Sequence, residues 1–287
     1  MLGTVNHRRA KTLYRRYGTK VVSYALLILL SLVMVVPFLW TLSTSLKGAD
    51  EAIFSFPPKF IPEHLTFENY KAVWKTLPIP LYLRNSLILT FFGVLFPVFF
   101  SSLAAFPLAR MEFKGRRFIF MLVIATMIIP VEVTMIPIYL ILNKLGLIGT
   151  YAGVILPNAV STFGIFLMRQ AFLSIPREIE ESAFIDGANV WQIWWKIMLP
   201  MVRPMMATLA ILSFIASWNN FLWPLLLLDD SNMYPLTLGL YKLQGVFVSN
   251  MRYIAAGSII ALIPIMIVFI SLQRYFAETA FSSSIKG

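Results

Sequence analysis

The sequence predicts an all-α integral membrane protein with six transmembrane helices and both termini in the cytoplasm. Composition, run length and loop charge carry this. Of 287 residues, 59% are hydrophobic and 13% are charged, against about 25% charge in ordinary globular domains. Charge-poor runs of about 20 residues or more, enough to cross a hydrocarbon core of about 30 Å, occur at 21–43, 85–109, 118–142 (holding Glu132), 145–168, 205–228 and 253–273. The 24 Lys and Arg residues divide sixteen to eight when the loops alternate sides from a cytoplasmic N-terminus. Basic residues are retained on the cytoplasmic side, so this division sets the orientation.

The first run follows the basic tail MLGTVNHRRAKTLYRRYGTK. It is longer than the apolar core of a signal peptide and lacks a small-residue cleavage site, so it reads as an uncleaved anchor. Residues 44–84 form an external loop divided by Pro57, Pro58, Pro62, Pro78 and Pro80, with an amphipathic helix expected over 65–74. It is either a connector or a surface that touches an external partner. Prolines recur in the later spans at Pro97, Pro107, Pro130, Pro137, Pro157, Pro224 and Pro264. Each removes a backbone donor and bends its helix, which is tolerated where helices pack or line a cavity.

Several kinds of chemistry drop out. With no Cys and only His7 and His64, the chain has no disulfide, no thiolate site and no three-histidine metal site. No G-x4-G-K-[ST] phosphate loop is present, and the internal loops are too short for an ATPase domain. The formal charge of +11 is accounted for by loop sidedness, so nucleic acid is not an expected partner.

Between the fourth and fifth runs lies RQAFLSIPREIEESAFIDGANVWQIWWKIMLPMVRP. Ser174 and Pro176 favour a helix over 177–185, Gly187 permits a close turn, and the apolar set from Val190 to Met198 gives a second short helix. Glu178 and Glu180 read as a solvated surface interacting with Arg177. Glu181 stands apart, because it opens ESAFIDGA at a fixed distance from IMLP.

The segment Glu181-Ser182-Ala183, Gly187 and Ile197-Met198-Leu199-Pro200 resembles the EAA-x3-G-x9-I-x-L-P loop of membrane subunits in bacterial binding-protein-dependent ABC importers. Ser182 departs from the usual Ala but stays small. TFENY (66–70), WNNFLWP (218–224), LQRYF (272–276) and the terminal SIKG are similar to the maltose-permease-like second permease of the carbohydrate-uptake class, and the resemblance covers essentially the whole chain. It implies the type I ABC importer permease fold, with residues 176–188 as a coupling helix in a groove of an ATPase subunit. Glu181 would form an interfacial salt bridge there. Ser182, Ala183, Asp186, Gly187, Ala188, Leu199 and Pro200 belong to the same loop, and Lys286 and Gly287 to a tail that reaches the ATPases.

On this reading 1–20 is a cytoplasmic tail, 21–43 the first span and 44–84 the external loop. Residues 85–273 form a five-helix core that includes the 174–204 coupling loop, and 274–287 a cytoplasmic tail. The implied partners are a second homologous permease, two ATP-binding subunits that hold ATP and Mg, an extracytoplasmic solute-binding protein, a sugar and membrane lipid. The chain binds no cofactor itself, and the expected location is the bacterial inner membrane.

Polar residues of the translocation route are sought inside the spans. Glu132 either pairs or sits at a boundary, or lies near the route. Asn158, Ser161, Thr162, Ser217, Asn219 and Asn220 add polarity. Trp218, Asn219, Asn220 and Trp223 either contact a polyhydroxylated solute or hold helices together. Two other classes share six kinked spans: an ion-gradient-driven secondary transporter, and a membrane enzyme, for which the chain offers no paired catalytic groups.

Overall fold

Prolines mark where several helices begin. A computed structural model of the chain describes residues 3–244 and 250–284, with side-chain surroundings for 20–244 and 250–271. In order, the helices are α1 (Gly3–Leu46), α2 (Glu68–Thr76), α3 (Ile79–Arg110), α4 (Arg116–Thr126), α5 (Val131–Lys144), α6 (Tyr151–Ile155), α7 (Thr162–Leu173), α8 (Arg177–Ile185), α9 (Val190–Gln192), α10 (Leu199–Met201), α11 (Arg203–Trp218), α12 (Leu222–Leu227), α13 (Leu236–Tyr241) and α14 (Met251–Ser284). Pro78, Pro130, Pro176 and Pro235 stand immediately before α3, α5, α8 and α13, where the missing N–H has no helical partner to lose.

Three helices among the described residues are long and apolar enough to cross a membrane: Lys20–Leu46, Ile79–Arg110 and Met251–Ser271. Three bent pairs bring the number to as many as six if each is one span. They are α4 with α5, bent by 100°; residues 151–158 with α7, bent by 45°; and residues 190–201 with α11, bent by 79°. The fold is therefore all-α and multi-span. Two of the expected runs differ from the straight form their hydropathy suggests. Residues 118–142 break before Pro130, because its ring forbids a helical residue ahead of it. Residues 205–228 stop at Trp218, and α12 resumes three residues beyond Asn219. The amphipathic helix of the external loop begins at Glu68 rather than Leu65, and it buries Asn69 and Val73.

The chain divides into two compact units, residues 1–75 with 245–260 and residues 76–244 with 261–287. In the first, the apolar residues of α1 from Val21 to Leu39 are exposed, a surface suited to lipid or to another apolar helix. Its end is polar and buried. Lys47, fully buried, donates to the Lys59 carbonyl at 2.9 Å and lies 3.8 Å from Glu51. Asn69 donates to the Ser45 and Lys47 carbonyls at 2.9 and 2.8 Å, and Arg252 donates to the Ala49 carbonyl at 3.3 Å. On the surface, the hydrogen bond from Lys59 holds the Glu63 carboxyl below its usual range.

The second unit is built around α3, which packs most extensively against α7 and α11. Its core contains Ala105, Phe106, Met168, Phe172, Ala183, Ile193, Met198 and Leu209, so the 177–201 hairpin shares one apolar interior with α3, α7 and α11. At the other end of α3, Asn85 is fully buried. It donates to the Asn232 and Tyr234 carbonyls at 2.7 and 3.0 Å and accepts from the Tyr151 hydroxyl at 2.9 Å. Ser86 accepts the Leu236 N–H at 2.7 Å, which fixes the start of α13 against α3.

α13 depends on a close approach at Gly239, where a Cβ would lie 2.1 Å from the buried Tyr82 ring. Gly239→Ala is therefore expected to lower stability by about 1–3 kcal/mol, the usual cost of overpacking. Thermal unfolding in detergent measures it. In a double-mutant cycle with Tyr82→Ala, the two substitutions together should cost less than the sum of their separate costs.

Candidate functional site: the 177–201 hairpin and the cavity beside α3

The hairpin begins at Pro176, whose extended ψ of 140° turns the chain out of α7. Glu178 and Glu180 occupy the first turn of α8, where carboxylates complement the positive end of the helix dipole. The helix closes through a left-handed glycine. Gly187, at φ +84°, donates to the Phe184 carbonyl at 3.0 Å, and Ala188 donates to the Ala183 carbonyl at 2.9 Å. This pair of bonds satisfies the last carbonyls of α8 and reverses the chain. Asn189 and Gln192 then form a reciprocal capping box, each accepting the other's backbone N–H at 2.9 Å, which starts α9.

Residues Ile193–Met198 continue as a π-helical turn in which the Leu199 N–H bonds to the Trp194 carbonyl. Trp194 is buried, edge-on to Phe99 of α3 at 5.8 Å. Leu199 is buried with it, and Pro200 sits in the first turn of α10. The inner side of the hairpin is thus held by Ala183, Ile193, Trp194, Met198 and Leu199. Its outer side leaves Glu181, Ser182, Phe184, Ile185 and Asp186 exposed, with Ile185 86% accessible.

Glu180 differs from the solvated residue expected from the sequence. Its carboxylate accepts from Arg110 Nε at 2.8 Å, and the two side chains are only 14% and 3% exposed. The same guanidinium donates to the carbonyls of Phe172 (3.3 Å), Ile175 (3.0 Å) and Pro176 (3.2 Å). Arg177, the expected partner of Glu180, instead reaches Glu112 at 3.5 Å in solvent. Arg110 has no short-range signal, because its acceptors lie more than 60 residues away. The capping box was legible as N-x-x-Q before an apolar run.

A cavity of about 480 Å³ lies beside α3. Its polar lining comes from Ser86, Asn158, Ser161, Ser213, Ser217 and Asn220, and Trp223 adds an aromatic wall. Of the route candidates, Asn158, Asn220 and Trp223 line this cavity. The other three candidates lie elsewhere. Trp218 is buried, stacks on Phe214 at 5.8 Å and donates to the Ala261 carbonyl at 3.2 Å, which makes it a packing residue. Asn219 turns back on its own helix and donates to the Ile215 carbonyl at 2.9 Å. Glu132 is exposed in the first turn of α5, at the break, and does not line the cavity. Ser213 was readable from its i, i+4 spacing to Ser217. Lys286 and Gly287 lie outside the described residues.

The long apolar helices and bent helix pairs define a multi-span membrane protein. Residues 97–280 match the family of binding-protein-dependent transport system inner membrane components, and the chain belongs to that family. Similar relatives include the arabinooligosaccharides transport system permease protein AraQ of Bacillus subtilis (strain 168), at 36% identity over 90% of this chain and 93% of that protein. The diacetylchitobiose uptake system permease protein NgcG of Streptomyces coelicolor is 35% identical over 94% of this chain and 89% of its own. A crystal structure of a bacterial ABC transporter that imports the acidic polysaccharide alginate contains a chain of the same fold. Its TM-score is 0.81 and its identity 29%, over 92% of this chain and 97% of that one. The chain is thus a multi-pass inner-membrane permease component of an ABC-type importer, and not an enzyme.

The left-handed turn gives a local test. Gly187→Ala places a Cβ in the αL region and should cost about 1 kcal/mol, whereas Gly187→Asn should cost less. Thermal midpoints of the two variants measure the difference.

Proposed function

We propose that this chain is one of two membrane subunits of an ATP-driven importer for a sugar or oligosaccharide. The observation that carries the reading is the two-sided hairpin, with its inner face in the core shared with α3 and α7 and its outer face presenting Glu181, Phe184 and Ile185 to solvent. Residues 176–188 act as the coupling helix on the cytoplasmic side and seat in a groove of an ATP-binding subunit. Glu181 pairs there with a cation, the packing of Ala183 and Ala188 fixes the helix, and Ser182, Asp186, Gly187, Leu199 and Pro200 shape the loop. A paired interfacial charge sets register and orientation as well as affinity.

The complete machine has a second homologous permease, two ATPases holding ATP and Mg, and an extracytoplasmic solute-binding protein that delivers the sugar. In this scheme six spans place both termini in the cytoplasm, and Lys286 and Gly287 contact the ATPases. ATP-driven closure of the ATPases moves the coupling helices and opens the route outward; hydrolysis resets it inward. Each ligand shifts a shared equilibrium between the two states.

The sugar assignment is supported by the relatives that transport arabinooligosaccharides, diacetylchitobiose, and melibiose, raffinose and stachyose. The cavity agrees with it. Hydroxyl and amide groups line it, none of its described lining residues is charged, and Asn158 and Ser213 make no side-chain hydrogen bond among the described residues. A neutral saccharide exchanges its water for such groups. A uronate carboxylate would lose hydration there without a cation to replace it, at a cost of several kcal/mol.

Reconstitution with the partner permease, ATPases and binding protein tests this reading through ATP-dependent uptake across a saccharide panel. Uptake should require ATP hydrolysis and favour neutral sugars. Glu181→Ala should leave the chain folded and cut uptake about tenfold or more, the scale of losing one paired interfacial charge. Full uptake by that variant would contradict its assigned role.

A further inference from the structure

We propose that the Arg110–Glu180 ion pair is a transmission latch: it positions α8 so that motion of the hairpin is passed to α3 and α7, the helices beside the cavity. The inference rests on the coupling reading of the 176–188 helix. Glu181 belongs to the face that meets an ATPase; Glu180, one residue earlier, faces the other way into the protein.

The geometry is that of a rigid joint. Arg110 is the last residue of α3, and its side chain is 3% exposed. Its Nε bonds to the Glu180 carboxylate at 2.8 Å, while its two terminal nitrogens hold the carbonyls of Phe172, Ile175 and Pro176 at 3.0–3.3 Å. One planar, permanently charged fork therefore joins the end of α3, the end of α7 and the first turn of α8. Arginine suits this position because its donors are fixed relative to one another. Burial raises the consequence of breaking the pair, since either charge left alone has no solvent to replace its partner.

α3 and α7 also reach the cavity. Gly93 and Pro97 of α3, Ser161 before α7 and Phe163 within it are lining residues. The apolar contacts of Ala183 and Met198 permit sliding, because dispersion has no direction; the ion pair does not. Without the latch, α8 keeps its outer face and its turn at Gly187, and ATPases still bind it. A displacement of α8 then dissipates at the hairpin. The Arg177–Glu112 pair, 3.5 Å long with side chains 59% and 79% exposed, has no such role and serves as the internal control.

The test uses the full importer in proteoliposomes and reads assembly, ATP turnover and substrate transported per ATP hydrolysed. Glu180→Gln keeps the side-chain size and removes the charge. It should assemble normally, keep ATP turnover within about twofold and lower transport per ATP about fivefold or more, the scale of losing one buried charge-assisted contact. Glu180→Asp, which restores the charge, should recover part of that ratio, and Glu112→Ala, which breaks the exposed Arg177–Glu112 pair from outside the coupling helix, should match wild type. An unchanged ratio in Glu180→Gln, or a loss of uptake proportional to lost assembly or lost ATP turnover, overturns the latch. If Glu180→Gln does not assemble, Glu180→Asp takes its place: a lowered transport per ATP supports the latch and an unchanged ratio overturns it. Wild-type uptake that needs no ATPase refutes the coupling reading and the latch with it; ATP-dependent wild-type uptake with an unchanged variant ratio refutes the latch alone.

Discussion

A single buried guanidinium meets the needs of three helix ends. α7 ends at Leu173, and Arg110 donates to the Phe172 carbonyl in its last turn and to the Ile175 and Pro176 carbonyls of the link to α8. A cation belongs there because the C-terminal end of a helix carries partial negative charge; the Glu180 carboxylate belongs in the first turn of α8 for the converse reason. The arrangement is costly to bury and therefore specific. Each hydrogen bond to a charged group contributes about 1.5–3 kcal/mol when made, and Arg110 makes four, one to Glu180 and three to carbonyls. The 177–201 hairpin takes its inward orientation from that point, and its free outer face follows.

The bends and the cavity have a common cause. In a bilayer, interrupted backbone survives only where protein or an aqueous cavity covers it. The lining includes Pro97, Val131 just after Pro130, Asn158 and Ser161 between α6 and α7, and Asn220, Trp223 and Pro224 where α11 gives way to α12. Two of the span prolines, Pro97 and Pro224, thus border this space, and the nearby Asn158 and Asn220 amides add polarity without adding charge.

Features fixed by local chemistry were legible in the sequence. The bounds of α8 and the left-handed turn at Gly187 follow from Pro176 and the glycine itself, and most of the apolar runs overlap helices or bent helix pairs long and apolar enough to cross a membrane. The break at Pro130 shows how local signals are masked: the hydropathy of 118–142 is continuous although its backbone is not. Residues Trp218, Asn219, Asn220 and Trp223 form one polar-aromatic cluster in sequence, yet the end of α11 sends the first two into packing and the last two to the cavity. Glu180 and Glu181 are adjacent and chemically identical. What separates them is the step of about 100° between successive helical residues and an arginine 70 residues upstream of Glu180, a tertiary fact that no local pattern encodes.

The central claim is that an ATPase acting on the hairpin opens the cavity beside α3. Because the chain contains no Cys, Ser213→Cys supplies a unique thiol in the cavity wall. With the importer reconstituted, its labelling rate by an impermeant maleimide added from the outside is measured with and without trapped ATP. Labelling should be slow at rest and at least several-fold faster in the ATP-trapped state. Equal rates in the two states would contradict the claim.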